Sequence, residues 1–374
     1  MTAESSPRVV VLGGGVLGAS AAVELRRKGA DVVLVPGGRG ASYRSFSWLN
    51  SFGTHSAEYH RLRLRGIDRY RSRFGPDAGV PWLSFGGAYH AVTPQRFDEL
   101  AAHFATSEYR FEEVAAEDLV AAEPRVQRSA LEGTRIVHTV GEGWVDLPAL
   151  IDHLRLQFTG SGGTVLDGVD PVLARIRVSG DAVTGVGWDD GPALGADVVV
   201  QATGAFVPLA VRDLGVEIGT RSNPALLITT TAFDHSLGSV IRTPSVGVRP
   251  AFDGGVVVHA DWADAEVRVQ GDSYAIDEDV AVRLLAAVTD VLVVDGPLRA
   301  GFVGVGARPV PADGLPVVGP LAGLPGYRLL FSHSGATLGL VLGELTAEEI
   351  VDGTDSALLA PFRPDRLVTH PATS

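Results

Sequence analysis

Arg8-Val9-Val10-Val11-Leu12-Gly13-Gly14-Gly15-Val16-Leu17-Gly18 is the stretch on which the fold turns. Its first half is a short apolar run of the kind that a buried parallel strand requires. Its second half is GxGxxG, with glycines at 13, 15 and 18. Residues 19–29 continue as a helix, with Ala22, Val23 and Leu25 apolar. Arg26, Arg27 and Lys28 suit the negative end of that helix, and Gly29 stops it. Residues 31–35 read as a second buried strand. The whole is a βαβ unit with a dinucleotide fingerprint in place. Gly13 permits the tight turn, Gly15 lets backbone approach a pyrophosphate, and Gly18 lets helix and strand pack closely. A glycine-rich turn without a ligand is the alternative. One element of the fingerprint is absent. The second strand ends not in an acidic residue for the adenosine ribose but in Pro36, followed by Gly37-Gly38-Arg39-Gly40, which offers backbone and one guanidinium.

Working outward, the chain has 374 residues, enough for two interleaved domains. With 45% hydrophobic and 20% charged residues it lies outside the compositions that stay disordered. No apolar run reaches the ~18 residues of a membrane helix, and residues 1–7 are polar, so neither a membrane span nor a secretory signal is expected. A cytoplasmic location is the corresponding expectation. Cysteine is absent, which excludes disulfides, cysteine metal ligands, cysteine nucleophiles and a thiol-linked cofactor. The net charge of −13 argues against nucleic acid and anionic membranes as partners. Lys28 is the only lysine.

Residues 57–74 carry apolar or aromatic side chains at Tyr59, Leu62, Ile67, Tyr70 and Phe74, a helical spacing, with the arginines mostly on a solvated face. Residues 81–92 read as strands, 94–123 as helices stopped by Pro124, and 147–158 as an amphipathic helix. A strand at 164–166, a hairpin at 175–186 and a buried strand at 196–202 follow. Further strands are expected at 226–231, 239–242 and 255–260, then a helix at 277–288. Near the end, Arg308 to Pro316 is a proline-rich loop. The strand 327–331 then enters Ser332-His333-Ser334-Gly335-Ala336-Thr337 and a helix from about Leu338. This second strand–glycine–helix turn offers another set of amides to an anion.

The order of these pieces resembles the flavin-dependent D-amino-acid oxidase and glycine oxidase superfamily, over almost the whole chain. The matching stretches are Val9 to Gly18, Ser45-Phe46-Ser47-Trp48-Leu49-Asn50, Tyr59-His60-Arg61-Leu62 and Glu142-Gly143-Trp144-Val145-Asp146. They continue with Ala196 to Gly204, Arg249-Pro250, Gly306 to Pro316 and His333 to Leu338. The resemblance implies an α/β fold: a Rossmann-type FAD-binding domain interleaved with an α+β substrate domain on a mostly antiparallel sheet. The expected division is 1–80, 145–222 and 303–374 for the first, and 81–144 and 223–302 for the second.

The cofactor it implies is FAD, held without a covalent bond. Gly13, Gly15, Val16, Leu17 and Gly18 would lie under the pyrophosphate, Ser42 and its neighbouring loop along the phosphate and ribityl chain, and Arg39 would contact the cofactor in place of the missing acidic residue. Backbone at Val172 would meet adenine, and Ala202, Thr203 and Gly204 would approach the cofactor. Gly335, Ala336, Thr337 and Leu338 would lie by the flavin N1–O2 edge, where a helix dipole stabilises the reduced ring, and His333 would be a cofactor contact or else a capping histidine. Arg308 matches the arginine that takes a substrate carboxylate, and bracing of its own loop is the alternative. His259 and Asp261 are candidate pocket residues, or simply exposed at a strand end.

The implied partner is a small-molecule amine or amino acid, oxidised at its C–N bond by hydride transfer to flavin N5. The acceptor of the electrons is oxygen or another, unidentified species. No side chain is singled out as catalytic. The match departs from glycine oxidase where a second carboxylate arginine is replaced by Ser334. It departs from sarcosine oxidases in having no cysteine to link flavin and Val257 where they carry an oxygen-activating lysine. Two other readings stay open: a different FAD reaction such as hydroxylation, or a member with weakened or lost FAD binding in a structural or binding role.

Overall fold

The computed structural model describes residues 6–75, 79–107, 109–221, 223–271 and 273–369. The chain folds as two compact units. One gathers the N-terminal segment up to Tyr43, Leu147–Asn223 and the segment from Ala307 onward; the other gathers Arg44–Asp146 and Pro224–Gly306.

The first unit is built on a six-stranded sheet. Its order is Val317–Pro320, Tyr327–Phe331, Val198–Gln201, Arg8–Leu12, Asp31–Val35 and Thr164–Val165. All neighbours run parallel except the first pair. Val9, Val10, Val11 and Leu12 are each at most 1% exposed, as the apolar run requires. Burying side chains of this size contributes ~1.5–3 kcal/mol each. The helix Val16–Arg27 packs against the helices Gly335–Val351 and Leu147–Gly160. The approach is close: a Cβ on Gly343 would come 2.4 Å from Ser20 Oγ.

The second unit carries an eight-stranded sheet. Its order is Ala300–Ala307, Pro224–Thr230, Val256–His259, Gly247–Pro250, Val240–Arg242, Ala88–Val92, Arg135–Thr139 and Glu112–Val114. Val240–Arg242 and Ala88–Val92 pair parallel, while the pairs on either side of them are antiparallel. The helix Glu278–Val291 buries Val280, Leu284, Val288 and Val291 in the core of this unit.

Several expectations need correction. Residues 94–123 are not all helical: Glu112–Val114 forms the last strand of the large sheet. It is short and mostly exposed, so it has no apolar alternation to reveal it. Strands at Gly247–Pro250, Ala300–Ala307 and Val317–Pro320 were not anticipated either. The arginines of Ala57–Phe74 are not all on a solvated face. Arg63 is buried, donating to Asn50 O at 2.9 Å and Asn50 Oδ1 at 2.6 Å. The division of the chain differs most at 44–80, which belongs to the second unit. There Trp48–Leu49 pairs with Gly143–Val145, and Arg63 ties the helix to that strand's end.

Candidate functional site

In the first unit the glycine turn is shaped by close backbone approaches. Gly13 has φ of 109°, and a Cβ there would lie 2.3 Å from Ala202 O. A Cβ on Gly18 would lie 1.8 Å from Gly13 O, so neither position admits a side chain. Gly15 caps the helix in extended backbone without a side-chain cap, and the first backbone bond of the helix runs from Ala19 N to Gly15 O. The amides of Leu17 and Gly18 therefore sit at the positive end of the helix. Val16 N donates to Ser42 Oγ at 3.2 Å, which fixes the Ser42 loop over the turn.

The helix Gly335–Val351 begins beside that turn. A Cβ on Gly335 would lie 3.2 Å from Val16 Cγ1, and one on Gly339 2.6 Å from Val16 Cγ2. Its N-cap is Ser334, whose amide donates to Ser332 Oγ at 3.2 Å, and Leu338 N donates to Ser334 O at 2.9 Å. Ala336 and Thr337 lie in its first turn, and His333 is exposed just ahead of it. Two helix N-termini thus adjoin, and neither carries an acidic residue in its first turn. An anionic dinucleotide fits this donor set, because each end contributes about half a positive charge.

The remaining residues of this unit take mixed positions. Pro36 packs on Gly14, and its carbonyl accepts Gly14 N at 2.7 Å. Arg39 is exposed, with its guanidinium carbon 5.1 Å from the centre of the Tyr43 ring. Val172 N donates to Asp170 Oδ1 at 2.9 Å, so its carbonyl is the group left to meet a base. Thr203 Oγ1 accepts from Gln201 Nε2 at 2.7 Å. Gly204 has φ of 62° and open space where a Cβ would be. Arg308 is half-buried; its Nε donates to Asn223 Oδ1 at 3.2 Å and its amide to Asn223 O at 2.9 Å. The guanidinium thus takes part in bracing the loop.

In the second unit one rung crosses four strands. His90, Arg242, Gly247 and His259 are register partners in turn. Gly247 leaves the gap in which the Arg242 side chain lies: a Cβ there would be 3.1 Å from Arg242 Cδ and Nη1. The Phe46 and Trp48 rings flank the guanidinium, with centres 5.9 and 5.6 Å from its carbon. Trp48 is fixed by its Nε1–H, which donates to Glu142 Oε2 at 2.8 Å. Glu142 is fully buried and also accepts from Ser51 N at 3.0 Å, from Thr139 Oγ1 at 2.9 Å and from Tyr109 OH. Burial pushes its carboxyl up to about 8, against the pull of these donors. His90 stacks on Phe52 and is held well below its ordinary value by burial, so it is a neutral ring.

At the far end of the rung, His259 Nε2 lies 2.9 Å from Asp264 Oδ2. Asp264 is buried and its other oxygen accepts Leu226 N at 2.7 Å. The ring therefore donates through Nε2 and presents Nδ1 as an acceptor. That atom is buried and has no hydrogen-bond partner among the described residues. Asp261, the residue singled out from sequence, is instead solvent-facing at 82% exposure, 3.9 Å from His259 Nε2. The residues that sequence reasoning missed are Arg242, Asp264 and Glu142 in its buried role; only the register and the first turn of Asp261–Ala265 bring them to this face.

Comparison with known proteins agrees with this architecture. The model of the DAO family, FAD dependent oxidoreductase, matches residues 8–349. Glycine oxidase of Pseudomonas putida is 25% identical over 378 residues, covering 96% of this chain and 99% of that one. A D-amino acid dehydrogenase of Xylella fastidiosa is 29% identical over 187 residues, covering 48% of this chain and 40% of its own. Iminodiacetate oxidase from Chelativorans shares the fold with a TM-score of 0.81 at 20% identity, covering 96% of this chain and 99% of that one. The chain belongs to the DAO family of FAD-dependent oxidoreductases.

Proposed function

We propose that this enzyme oxidises the carbon–nitrogen bond of an amino acid or N-substituted amino acid to an imine that water can hydrolyse. The observation that carries the cofactor half of this reading is the adjoining pair of helix N-termini at Val16 and Gly335, neither with an acidic residue in its first turn. The substrate half is supported by two relatives, a glycine oxidase and a D-amino acid dehydrogenase. FAD, when bound, supplies the hydride acceptor. Gly13 and Gly18 close the turn by tight backbone packing, Gly15 keeps a side chain off the pyrophosphate approach, and the turn at Gly335 to Leu338 offers a second positive helix end. The absence of cysteine makes a thioether link to the flavin impossible.

The chain's own side chains bind the substrate and prepare it. Arg308 takes the α-carboxylate, for which a guanidinium fork is suited. The His259 Nδ1 acceptor takes a proton from the substrate ammonium, leaving the neutral amine whose lone pair drives C–H cleavage. Asp264 holds the ring in the tautomer this needs and stabilises the imidazolium that forms. Product analysis with an artificial electron acceptor tests the reading. Equimolar carbonyl product and ammonia or primary amine are expected, and hydroxylated product with the C–N bond intact would overturn it.

A further inference from the structure

The segment Ser45-Phe46-Ser47 of the second unit is fixed in a conformation that packing alone does not require. Ser47 is buried and has φ of 54°, a left-handed backbone that serine rarely adopts. Its amide donates to Ser45 Oγ at 3.1 Å, its hydroxyl donates to Ser45 O at 3.0 Å, and its carbonyl accepts Val145 N at 3.1 Å. The fully buried Arg249 donates through Nε to Phe46 O and through Nη1 to Pro250 O at 2.7 Å. A strained serine and a buried cation thus hold one short stretch of backbone. Strain of this kind persists where the placement of a side chain matters.

The side chain so placed is the Phe46 ring, and it lies against His259. The ring packs on Leu227, Ala251 and Val257, with its centre 6.1 Å from that of the imidazole and the two planes tilted by 48°. Val257 and His259 are two residues apart on one strand, so their side chains share this face of the sheet. A separation of 6.1 Å is direct ring contact and leaves no layer between the two. His259 Nε2 is taken by Asp264, while Nδ1 is buried and has no hydrogen-bond partner among the described residues.

We infer that Phe46 is a specificity-determining residue. Its ring bounds the space at His259 Nδ1, so the enzyme prefers amines whose nitrogen carries only hydrogen or one small, unbranched substituent and rejects branched or aromatic ones. The inference rests on the proposed amine oxidation, in which the substrate nitrogen meets Nδ1. Overfilling a packed site is costly, and the clamp on Phe46 O and Ser47 keeps the segment from moving aside.

Chemical modification of the FAD-loaded enzyme reads the shielding without turnover. Diethyl pyrocarbonate acylates the lone-pair nitrogen of a neutral imidazole, here Nδ1, and peptide mass mapping reports it at His259 separately from the other histidines. Modification of a buried group waits on local opening, so Phe46→Ala is expected to raise the rate at His259 by about tenfold or more, and Phe46→Leu by less. With N-methylglycine and N-tert-butylglycine as substrates, the wild type favours the first by about a hundredfold in kcat/KM, and Phe46→Ala narrows that ratio at least tenfold. Phe46→Leu, the milder change, carries the test if the alanine variant does not fold. An unchanged rate at His259 in a folded, flavin-loaded variant overturns the inference. So does an unchanged ratio of the two substrates, a result that leaves amine oxidation itself intact. Flavin that no amine reduces, in the wild type or either variant, marks failure of the oxidation reading and takes the inference with it.

Discussion

His259 Nε2 and Asp264 Oδ2 stand 2.9 Å apart, and the second oxygen of Asp264 is held by Leu226 N at 2.7 Å. The contact sets the ring's tautomer and leaves Nδ1 as a buried acceptor. If that atom takes the substrate's ammonium proton, His259→Asn lowers kcat/KM by about a hundredfold near neutral pH. The deficit narrows as pH approaches the amine's own pKa, where the substrate arrives deprotonated. Asp264→Asn produces a smaller loss with the same pH trend. A deficit constant across pH would assign both residues to packing alone.

Glu142 makes stability depend on pH in an unusual direction. Its folded-state carboxyl titrates at about 8, above the ~4.3 of an unfolded chain. The fold therefore prefers the protonated form, and the stability this contributes is full below the unfolded value and is lost as pH rises through about 8. The melting temperature is expected to fall between pH 5 and 9 by more than in Glu142→Gln. The glutamine oxygen in the place of Oε1 keeps acceptance from Ser51 N and Tyr109 OH, and its amide in the place of Oε2 can donate to Thr139 Oγ1 and His90 Nε2 but loses the Trp48 Nε1–H bond. Parallel melting curves for the two proteins across this range would show that Glu142 stays ionised.

Ser42 links its loop to the glycine turn through Val16 N. Ser42→Ala removes an interaction of the helix-cap kind, worth ~1 kcal/mol, which corresponds to about a fivefold weaker FAD Kd. Gly18→Ala is far more severe, because its Cβ would fall 1.8 Å from Gly13 O. Titration of apoprotein with FAD, read by fluorescence quenching, separates the two. Full FAD affinity in Gly18→Ala would show that the turn does not hold the cofactor.

Arg308 distinguishes carboxylate recognition from loop bracing. Arg308→Met is expected to raise KM for an amino acid by about tenfold to a hundredfold, the cost of a charge-assisted hydrogen bond. The corresponding decarboxylated amine should lose little. If Asn223→Ala, which removes only the brace to Oδ1, reproduces the whole effect, Arg308 acts through the loop.

Much of the first unit was legible because local sequence dictates it. An apolar run, a glycine turn and a helix with cations at its end are consecutive signals, and Arg8–Leu12, Val16–Arg27 and Asp31–Val35 follow them closely. The second unit was less legible because its face is assembled by register across distant segments. Arg242 belongs to a strand of three residues, and nothing in its neighbourhood of sequence shows that Gly247 and His259 lie beside it. Asp264 lies one helical turn beyond Asp261, and nothing in the sequence marks it as the residue that meets His259. The short helix Asp261–Ala265 starts at the strand's end, and its fourth residue, not its first, turns back onto the sheet.

The central claim is amine oxidation on bound FAD. Its most direct test is the visible absorption of the purified protein after gel filtration with added FAD, followed by anaerobic addition of amino acids. Amine oxidation predicts a retained oxidised-flavin band, a property of bound flavin, that bleaches on addition of an amino acid or N-substituted amino acid. A retained band that no amine bleaches would contradict it.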